Sequence, residues 1–287
     1  MKVGVIGVGA MGLAMAGHLI DKKNSVSAYD IDPERRRDAG ERGAAVAQSL
    51  PELAKLAEVF VVVVNTDEQS REVTTALVEH AAPGSPIAIV ATNHPDTMRE
   101  LAALCSARGI RFIDAPVVYG ASGAKTGTLL SLCGGSEEDV AFARPALMAY
   151  SKDVMRVGPV GAGQLAKACN NLLHWVHCVS NFEALLLAKR YGVDAQRMRE
   201  VLLACPAYNG TLDRWDTTRF TWQEKDMDVT MDLAQAGGLT LPLSGQVDQL
   251  VKLLKADDVA ALLYGPEAKY LGVTVRPMSP EEGGLGS

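Results

Sequence analysis

An apolar run at the start of the chain breaks into glycines spaced as GxGxxG, Lys2-Val-Gly-Val-Ile-Gly7-Val-Gly9-Ala10-Met11-Gly12, and passes into an alanine-rich stretch that favours a helix. Gly7 permits a tight turn, Gly9 lets backbone N–H groups approach a pyrophosphate, and Gly12 lets the first helix pack closely on its strand. The N-terminus of that helix then faces the phosphates. The loop alone is a weak signal, but a second apolar run, Ser25-Val-Ser-Ala-Tyr-Asp30, ends in an acid at the spacing that a dinucleotide-binding βαβ unit requires. Asp30 can accept hydrogen bonds from the adenosine ribose hydroxyls, and its charge repels a 2′-phosphate, so NAD is favoured over NADP. Arg35, Arg36 and Arg37 are the counter-signal; following Pro33, they read as a solvated helix start rather than a phosphate clamp.

A length of 287 residues is enough for two domains, each with its own core. The formal net charge of −6 argues against a nucleic-acid partner, which would call for a basic surface. Apolar stretches such as Val59 to Val64 have the length of strands and fall far short of the ~20 residues a bilayer requires, so no membrane association is expected. The first strand begins at residue 2, which leaves no room for a signal peptide. The 5 cysteines are scattered and lack metal-type spacings, and they read as the reduced thiols of a cytoplasmic protein. Cys133, inside the run Leu129 to Cys133, reads as a small buried hydrophobe. His174 and His177 share a helix face without a third ligand nearby, so no metal site is expected.

Through the first half, short apolar runs alternate with segments of helical length. The runs are Val3 to Val8, Val26 to Tyr29, Val59 to Val64, Ile87 to Ala91, Phe112 to Val118, Thr128 to Cys133 and Val154 to Val157. This alternation predicts an α/β domain over residues 1–161, with a doubly wound, mostly parallel sheet. A helix is expected over 94–108, capped by Asp96 behind Pro95 and ended by Gly109. The pattern changes after Gly158-Pro-Val-Gly161-Ala-Gly163. Gln164 to Tyr191 contains neither proline nor glycine and carries apolar residues at helical spacing, which predicts one long interdomain helix. Further helices at Ala195 to Ala204, Lys225 to Ala236, Ser244 to Lys255 and Val259 to Tyr264 make residues 162–276 an all-α domain. The tail 277–287, rich in Gly, Pro, Ser and Glu, is expected to be disordered.

Polar residues stand where core is expected on the first turns of the long helix. Lys167, Asn171 and His174 are spaced i, i+4, i+7 and project from one side. A lysine beside an amide, near a domain junction, can exchange a proton with an alcohol or carbonyl oxygen while the amide fixes orientation. The plainer reading is a lysine that snorkels to water and an asparagine bonded to a neighbouring loop. His174, Trp175 and His177 on the long helix, with Tyr208, Trp215 and Trp222 downstream, are candidates for a substrate wall, with burial in a core as the simpler fate.

Four blocks in order give the chain a resemblance to the β-hydroxyacid dehydrogenase family over most of its length. They are Gly7 to Gly12, Asp114-Ala-Pro-Val-Val-Tyr-Gly120-Ala-Ser-Gly123-Ala-Lys-Thr-Gly127, Gly163 to Asn171, and Lys225-Asp226. The resemblance implies a nicotinamide-binding Rossmann domain, a long helix bearing the catalytic lysine, and a helical domain that closes the site and makes a homodimer or homotetramer. Lys167 and Asn171 match the family's catalytic lysine and its supporting asparagine. Thr92 matches the threonine of a Ser-Thr pair near the nicotinamide, with Ala91 in place of the serine. Asn65 and Thr66 stand on the cofactor side where a Leu-Pro or Met-Pro pair is usual. Lys225 and Asp226 match a Lys-Asp pair beside cofactor and substrate, so the resemblance assigns Lys225 to the cofactor and Asp226 to the substrate, and His174 joins the substrate candidates from its place on the helix face of Lys167 and Asn171.

The substrate loop departs from the family. Members that hold a substrate carboxylate usually read Asp-Ala-Pro-Val-Ser-Gly-Gly, whereas here Val118 and Tyr119 replace the serine and first glycine, ahead of Gly120. Val118 has no hydroxyl to donate, and Tyr119 adds a ring with a hydroxyl at its tip. His94 is a further candidate proton donor, set against the usual role of a loop histidine as a local hydrogen-bonder. The expected activity is NAD-dependent hydride transfer between nicotinamide and a small β-hydroxy acid or its semialdehyde or oxo counterpart, with Lys167 as general acid and base. Two alternatives stand beside it. One is an imine reductase-like enzyme, a class that shares the domain plan and glycine loop but typically lacks this lysine; the other is a non-catalytic cofactor-binding scaffold.

Overall fold

The computed structural model describes residues 1–285 and divides the chain into two compact units, Met1–Lys167 and Ala168–Ser287. The first unit begins with β1 (Lys2–Ile6), α1 (Ala10–Asp21), β2 (Ser25–Tyr29), α2 (Pro33–Glu41), β3 (Ala45–Val46), α3 (Leu50–Leu56), β4 (Val59–Val62) and α4 (Asp67–Val78). It continues through β5 (Pro86–Ile89), α5 (Pro95–Ser106), β6 (Arg111–Asp114), β7 (Val117–Val118), α6 (Gly120–Thr126), β8 (Leu129–Gly134), α7 (Glu137–Leu147) and β9 (Ser151–Gly158). The strands lie in the order β3-β2-β1-β4-β5-β6-β8-β7, with β9 paired to β8. All pairings from β3 to β6 are parallel, β8 runs antiparallel to β6 and β7, and β9 is parallel to β8.

A parallel sheet must be covered on both faces, and β4 shows how the sequence achieves this. Successive side chains point to opposite faces, so Val59 and Val61 enter one core with Met15 and Leu19 of α1, while Phe60 and Val62 enter the other with Leu53, Leu77 and Met98 of α3, α4 and α5. Each such side chain contributes about 1.5–3 kcal/mol on burial. The strand order reverses between β1 and β4, and ligands of open α/β sheets bind at the carboxyl ends of the strands at such a switch. The loops that leave this point are Gly7 to Gly12 after β1 and Asn65-Thr66 after β4.

The run Phe112 to Val118 is two strands rather than one, because Pro116 cannot donate to a ladder and the chain turns there. The two-residue strand β3 was not anticipated. The helix expected over 94–108 spans Pro95–Ser106, and its cap is His94, whose ring accepts from the Asp96 N–H, in place of Asp96. Cys105, Cys133 and Cys178 are fully buried, and burial pushes their thiols up to about 12, so they act as inert hydrophobes.

The division between units falls inside α8 (Ala162–Arg190), a 29-residue helix. Beyond Lys167 the chain forms α9 (Ala195–Leu203), α10 (Gly210–Asp213), α11 (Gln223–Ala236), α12 (Pro242–Val251) and α13 (Ala256–Tyr264). Trp175, Phe182, Trp215 and Met227 centre the core of this second unit, and Phe182 meets Trp215 edge-on at 6.0 Å. To the helices it adds one antiparallel hairpin, β10 (Ala268–Tyr270) with β11 (Val273–Val275). The tail expected to be disordered is tied down through residue 285. Met278 N–H donates to the Arg190 carbonyl, Leu285 N–H donates to that of Tyr191, and Ser279 and Glu282 cap each other across a short turn. The orphan carbonyls at the end of α8 are partners that composition alone does not reveal. Gly286 and Ser287 lie outside the described residues. Among the described residues no helix is long and apolar enough to cross a membrane.

Candidate active site

The glycine loop is built by close approach. Gly7 sits at φ +84°, and a Cβ there would be driven into the carbonyl of Val63 at the end of β4. A Cβ on Gly12 would be driven into the carbonyl oxygen of Gly7, so α1 can start where it does only if residue 12 has no side chain. At Gly9 an added Cβ would meet only the guanidinium of Arg35, at 3.3 Å. Gly7 and Gly12 are thus required by the protein itself, and Gly9 leaves space on the ligand side of the loop. Ala10 and Met11 open the helix behind them.

Asp30 is brought to this loop. It is buried, and its carboxylate accepts from the N–H of Val8 at 2.8 Å and from that of Asp32 at 3.0 Å. Each oxygen retains acceptor capacity, so the group can hold a ribose diol as well as the loop. The three arginines separate. Arg36 donates to the Asp30 carbonyl and lies over the Tyr29 ring, Arg37 faces Asp38 and Glu41, and Arg35 reaches within 3.9 Å of the Asp30 carboxylate. The cradle with no side chain at Gly9 and the buried acid beside it fit a dinucleotide.

Across the switch, Asn65 is exposed and its N–H donates to Gln69, while the Thr66 hydroxyl caps α4 by accepting from the Gln69 N–H. Thr92, half-buried, follows β5 between two buried neighbours, Ala91 and Asn93. Asn93 Nδ2 donates to Asp67 at 2.8 Å, its Oδ1 accepts from the Ser70 hydroxyl at 3.0 Å, and the next N–H, of His94, donates to the other Asp67 oxygen at 3.0 Å. Burial opposes charge on Asp67, but donors from Asn93, Thr97 and His94 outweigh it and hold the carboxyl below its usual range. His94, with its ring in a helix cap, is a loop-fixing residue.

The start of α8 is held by Asp114 at the end of β6. This fully buried carboxylate accepts from the N–H groups of Gly161 at 2.7 Å and Gln164 at 2.9 Å, and Gly134 and Gly163 carry no Cβ where it stands. Burial pushes its pKa up, against the pull of those N–H groups. Lys167, half-buried, follows Gln164 by three positions. Asp114, Gln164 and Asp67 were not assigned site roles from the sequence. Nothing local distinguishes a buried acid or amide that satisfies distant backbone from an exposed one, and only the glycines around Gly161 and Gly163 hint at close approach.

Val118 is buried, Gly120 is exposed, and Tyr119 between them adopts φ +80°. The backbone keeps a left-handed conformation that suits glycine, at a cost of roughly 1–2 kcal/mol for a tyrosine. The Lys152 ammonium lies 4.0 Å from the centre of the Tyr119 ring. In the second unit, Asn171 is buried and its side-chain oxygen accepts from Asn170. His174 and Asp226 meet around Trp175. The His174 ring lies 4.6 Å from that of Trp175 and contacts the Thr211 hydroxyl at 3.0 Å, while the Trp175 indole N–H donates to Asp226 at 3.1 Å. Lys225, half-buried, sits in the first turn of α11. Trp175 and Trp215 are core, whereas Trp222 and Tyr208 are exposed.

The family described as the NAD binding domain of 6-phosphogluconate dehydrogenase matches residues 2–158, and that described as NAD-binding of NADP-dependent 3-hydroxyisobutyrate dehydrogenase matches residues 161–262. A probable mitochondrial 3-hydroxyisobutyrate dehydrogenase of Dictyostelium discoideum is 31% identical over 88% of this chain and 85% of its own. The Mycobacterium tuberculosis 3-hydroxyisobutyrate dehydrogenase solved with L-serine superposes with a TM-score of 0.83 at 28% identity, over 92% of this chain and 98% of that one. An imine reductase of Myxococcus stipitatus, at 15% identity and a TM-score of 0.66 over 88% of this chain and 92% of its own, shares the fold alone.

Proposed function

The chain belongs to the β-hydroxyacid dehydrogenase family, as an NAD-dependent oxidoreductase of CH–OH groups, and from that premise we propose that its substrate is a small β-hydroxy acid or the matching semialdehyde or oxo acid, with Lys167 as general acid and base. When bound, NAD would supply the acceptor or donor of the hydride exchanged at the carbinol carbon. Gly7 to Gly12 and Asp30 would hold its pyrophosphate and adenosine ribose, with Asn65, Thr66, Thr92 and Lys225 assigned to the same ligand. In oxidation the neutral Lys167 amine accepts the hydroxyl proton, and in reduction the ammonium donates it to the developing alkoxide. Asn171, four residues along the same helix, orients the oxygen. The observation that carries this reading is the placement of Lys167 one turn beyond a helix start locked by Asp114 and Gln164, which gives a flexible side chain a fixed origin.

The direct test is a panel with purified protein: NAD reduction with short β-hydroxy acids, L-serine among them, and NADH oxidation with semialdehydes, oxo acids and cyclic imines. Turnover of a hydroxy acid or semialdehyde is expected; turnover of imines alone would overturn the reading in favour of the imine reductase class. Val118, Tyr119 and Gly120 in the first unit, and His174 and Asp226 in the second, are each proposed to recognise the substrate. On this view, Val118→Ser combined with Tyr119→Gly restores a hydroxyl and a glycine where the backbone already has glycine geometry, and activity on the shortest β-hydroxy acids should rise about tenfold or more. No gain would mean that this loop does not set specificity.

Asp30 carries the cofactor preference. Asp30→Asn keeps an acceptor for the Val8 N–H but removes the charge. NADH affinity is expected to fall about tenfold, the scale of one charge-assisted hydrogen bond, while NADPH affinity holds or rises. Fluorescence titration of both dinucleotides checks this, and an unchanged ratio of the two affinities would remove Asp30 from the discriminating role.

A further inference from the structure

We propose that the side-chain amide of Gln164 is a positioning device that docks the first turn of α8 onto the loop around Thr92, so that one buried residue sets where Lys167 stands relative to that loop. The inference rests on the reading of Lys167 given above and adds a residue to it. Gln164 is 1% exposed. Its Nε2 donates to the carbonyl of Ala91 at 2.7 Å, and its Oε1 accepts from the N–H of Asn93 at 3.0 Å. An amide offers one donor and one acceptor side by side, and here it pairs with the two main-chain groups that flank Thr92, as a neighbouring strand would. Strand β5 has ended at Ile89, so these groups have left the ladder and need partners elsewhere.

The rest of the contact removes slack from both sides. On the helix side, the Gln164 N–H is itself held by Asp114, which also takes the Gly161 N–H. On the loop side, the Asn93 amide is held by Asp67 and Ser70, and the His94 N–H by Asp67. With its main chain clamped before and after, Thr92 is fixed in place. Residues three apart on a helix are neighbours on its surface, so Gln164 and Lys167 rise from adjacent positions of one turn. A shift of α8 that breaks the Gln164 contact therefore moves the base of Lys167 with it. Gln164 is a positioning residue and acts through Lys167 and Thr92.

Gln164→Met preserves length and apolar packing and deletes both hydrogen bonds; Gln164→Glu retains the acceptor for Asn93 and loses the donor for Ala91. Three measurements are made on each: NADH affinity and stoichiometry, kcat and KM per NADH-binding site, and amide hydrogen exchange at Asn93. For Gln164→Met the expected result is exchange at Asn93 at least about tenfold faster and kcat lower by roughly tenfold to a hundredfold, with KM little changed, the scale of a misplaced catalytic group. Gln164→Glu should restore Asn93 protection and part of kcat. A residue that served stability alone would lower the number of NADH-binding sites without changing kcat per site, and that outcome would overturn the proposal. So would unchanged Asn93 exchange in Gln164→Met. If the methionine variant does not fold, the glutamate variant decides by the same kcat per site. Lys167→Ala is run alongside. Retained turnover there defeats the reading of Lys167, whereas lost turnover there with full kcat in both Gln164 variants defeats only the positioning role.

Discussion

Lys167→Ala is expected to lower turnover by about 10²–10⁴, the range that a positioned general acid or base contributes, while NADH still titrates the protein at its original affinity. The separation follows from where the residues lie. The glycine loop and Asp30 complete their own contacts without Lys167, so the dinucleotide cradle survives the change. On the proposed mechanism the proton of the substrate hydroxyl, by contrast, loses its acceptor. Lys167→Arg sharpens the test. It keeps a positive charge on a side chain of similar length but cannot release a proton near neutrality, so oxidation of the hydroxy acid should fall almost as far as in the alanine variant. If arginine supported near-normal oxidation, charge alone would be the requirement and proton transfer would have to be assigned elsewhere. If alanine retained turnover within about tenfold, the residue would lie outside the range of acid-base catalysis altogether. Intact cofactor binding with no turnover on any substrate, in the unmodified protein, would instead favour the scaffold alternative.

The parts of the fold that were legible in the sequence are those where a local pattern has one physical solution. Val59 to Val62 alternates between two cores and could be only a strand of a covered parallel sheet, and the break from Ile6 into Gly7 could be only a turn that needs φ above zero. Asp30 was legible for the same reason, as an acid at the end of a second strand. What escaped depends on partners far away in the chain. His94 replaces Asp96 as the cap of α5: its backbone N–H is held by Asp67, at the start of α4, and its imidazole accepts from the Asp96 N–H. The tail through residue 285 has order because the last carbonyls of α8 lack intrahelical partners. Gln164 looks like any solvated residue of a helical first turn until the loop after β5 is laid against it.

The departures at Val118 and Tyr119 have a physical reading that the sequence pattern alone lacked. A tyrosine held at φ +80° has inherited a glycine's backbone without a glycine's freedom, and that strain persists only where surrounding contacts over-determine it. Here the Lys152 ammonium against the ring is one such contact. The loop therefore combines a backbone conformation that suits glycine with a side chain that brings a ring and a hydroxyl, and the Val118→Ser, Tyr119→Gly variant measures whether that change sets specificity.

The glycines of the cradle yield the second large effect, and they do so unequally. Gly12→Ala places a methyl where the Gly7 carbonyl oxygen stands, and that oxygen is main chain, held on one side by the turn after β1 and on the other by the Gly7 N–H bond to Tyr29 at 2.9 Å. Neither partner is a flexible side-chain end, so α1 must lift from its strand. The first unit is expected to lose roughly 3 kcal/mol, the upper range for overpacking a close contact, or about 6–12 °C in the transition that carries it. The Val8 N–H to Asp30 bond would go with the displaced loop, and NADH binding with it. Gly9→Ala is the control drawn from the same motif. Its methyl meets only the half-exposed end of Arg35, which can swing away, so the unliganded melting temperature should hold. Yet on the proposed binding mode that methyl projects toward the pyrophosphate, and NADH affinity should fall by at least about a hundredfold, a loss of close backbone approach. Melting curves without ligand and NADH titrations on the two variants separate a glycine required by the fold from one required by the cofactor. Equal loss of melting temperature in both would mean that the whole loop is a packing element, and equal NADH affinity in Gly9→Ala and the parent would move the pyrophosphate off this loop.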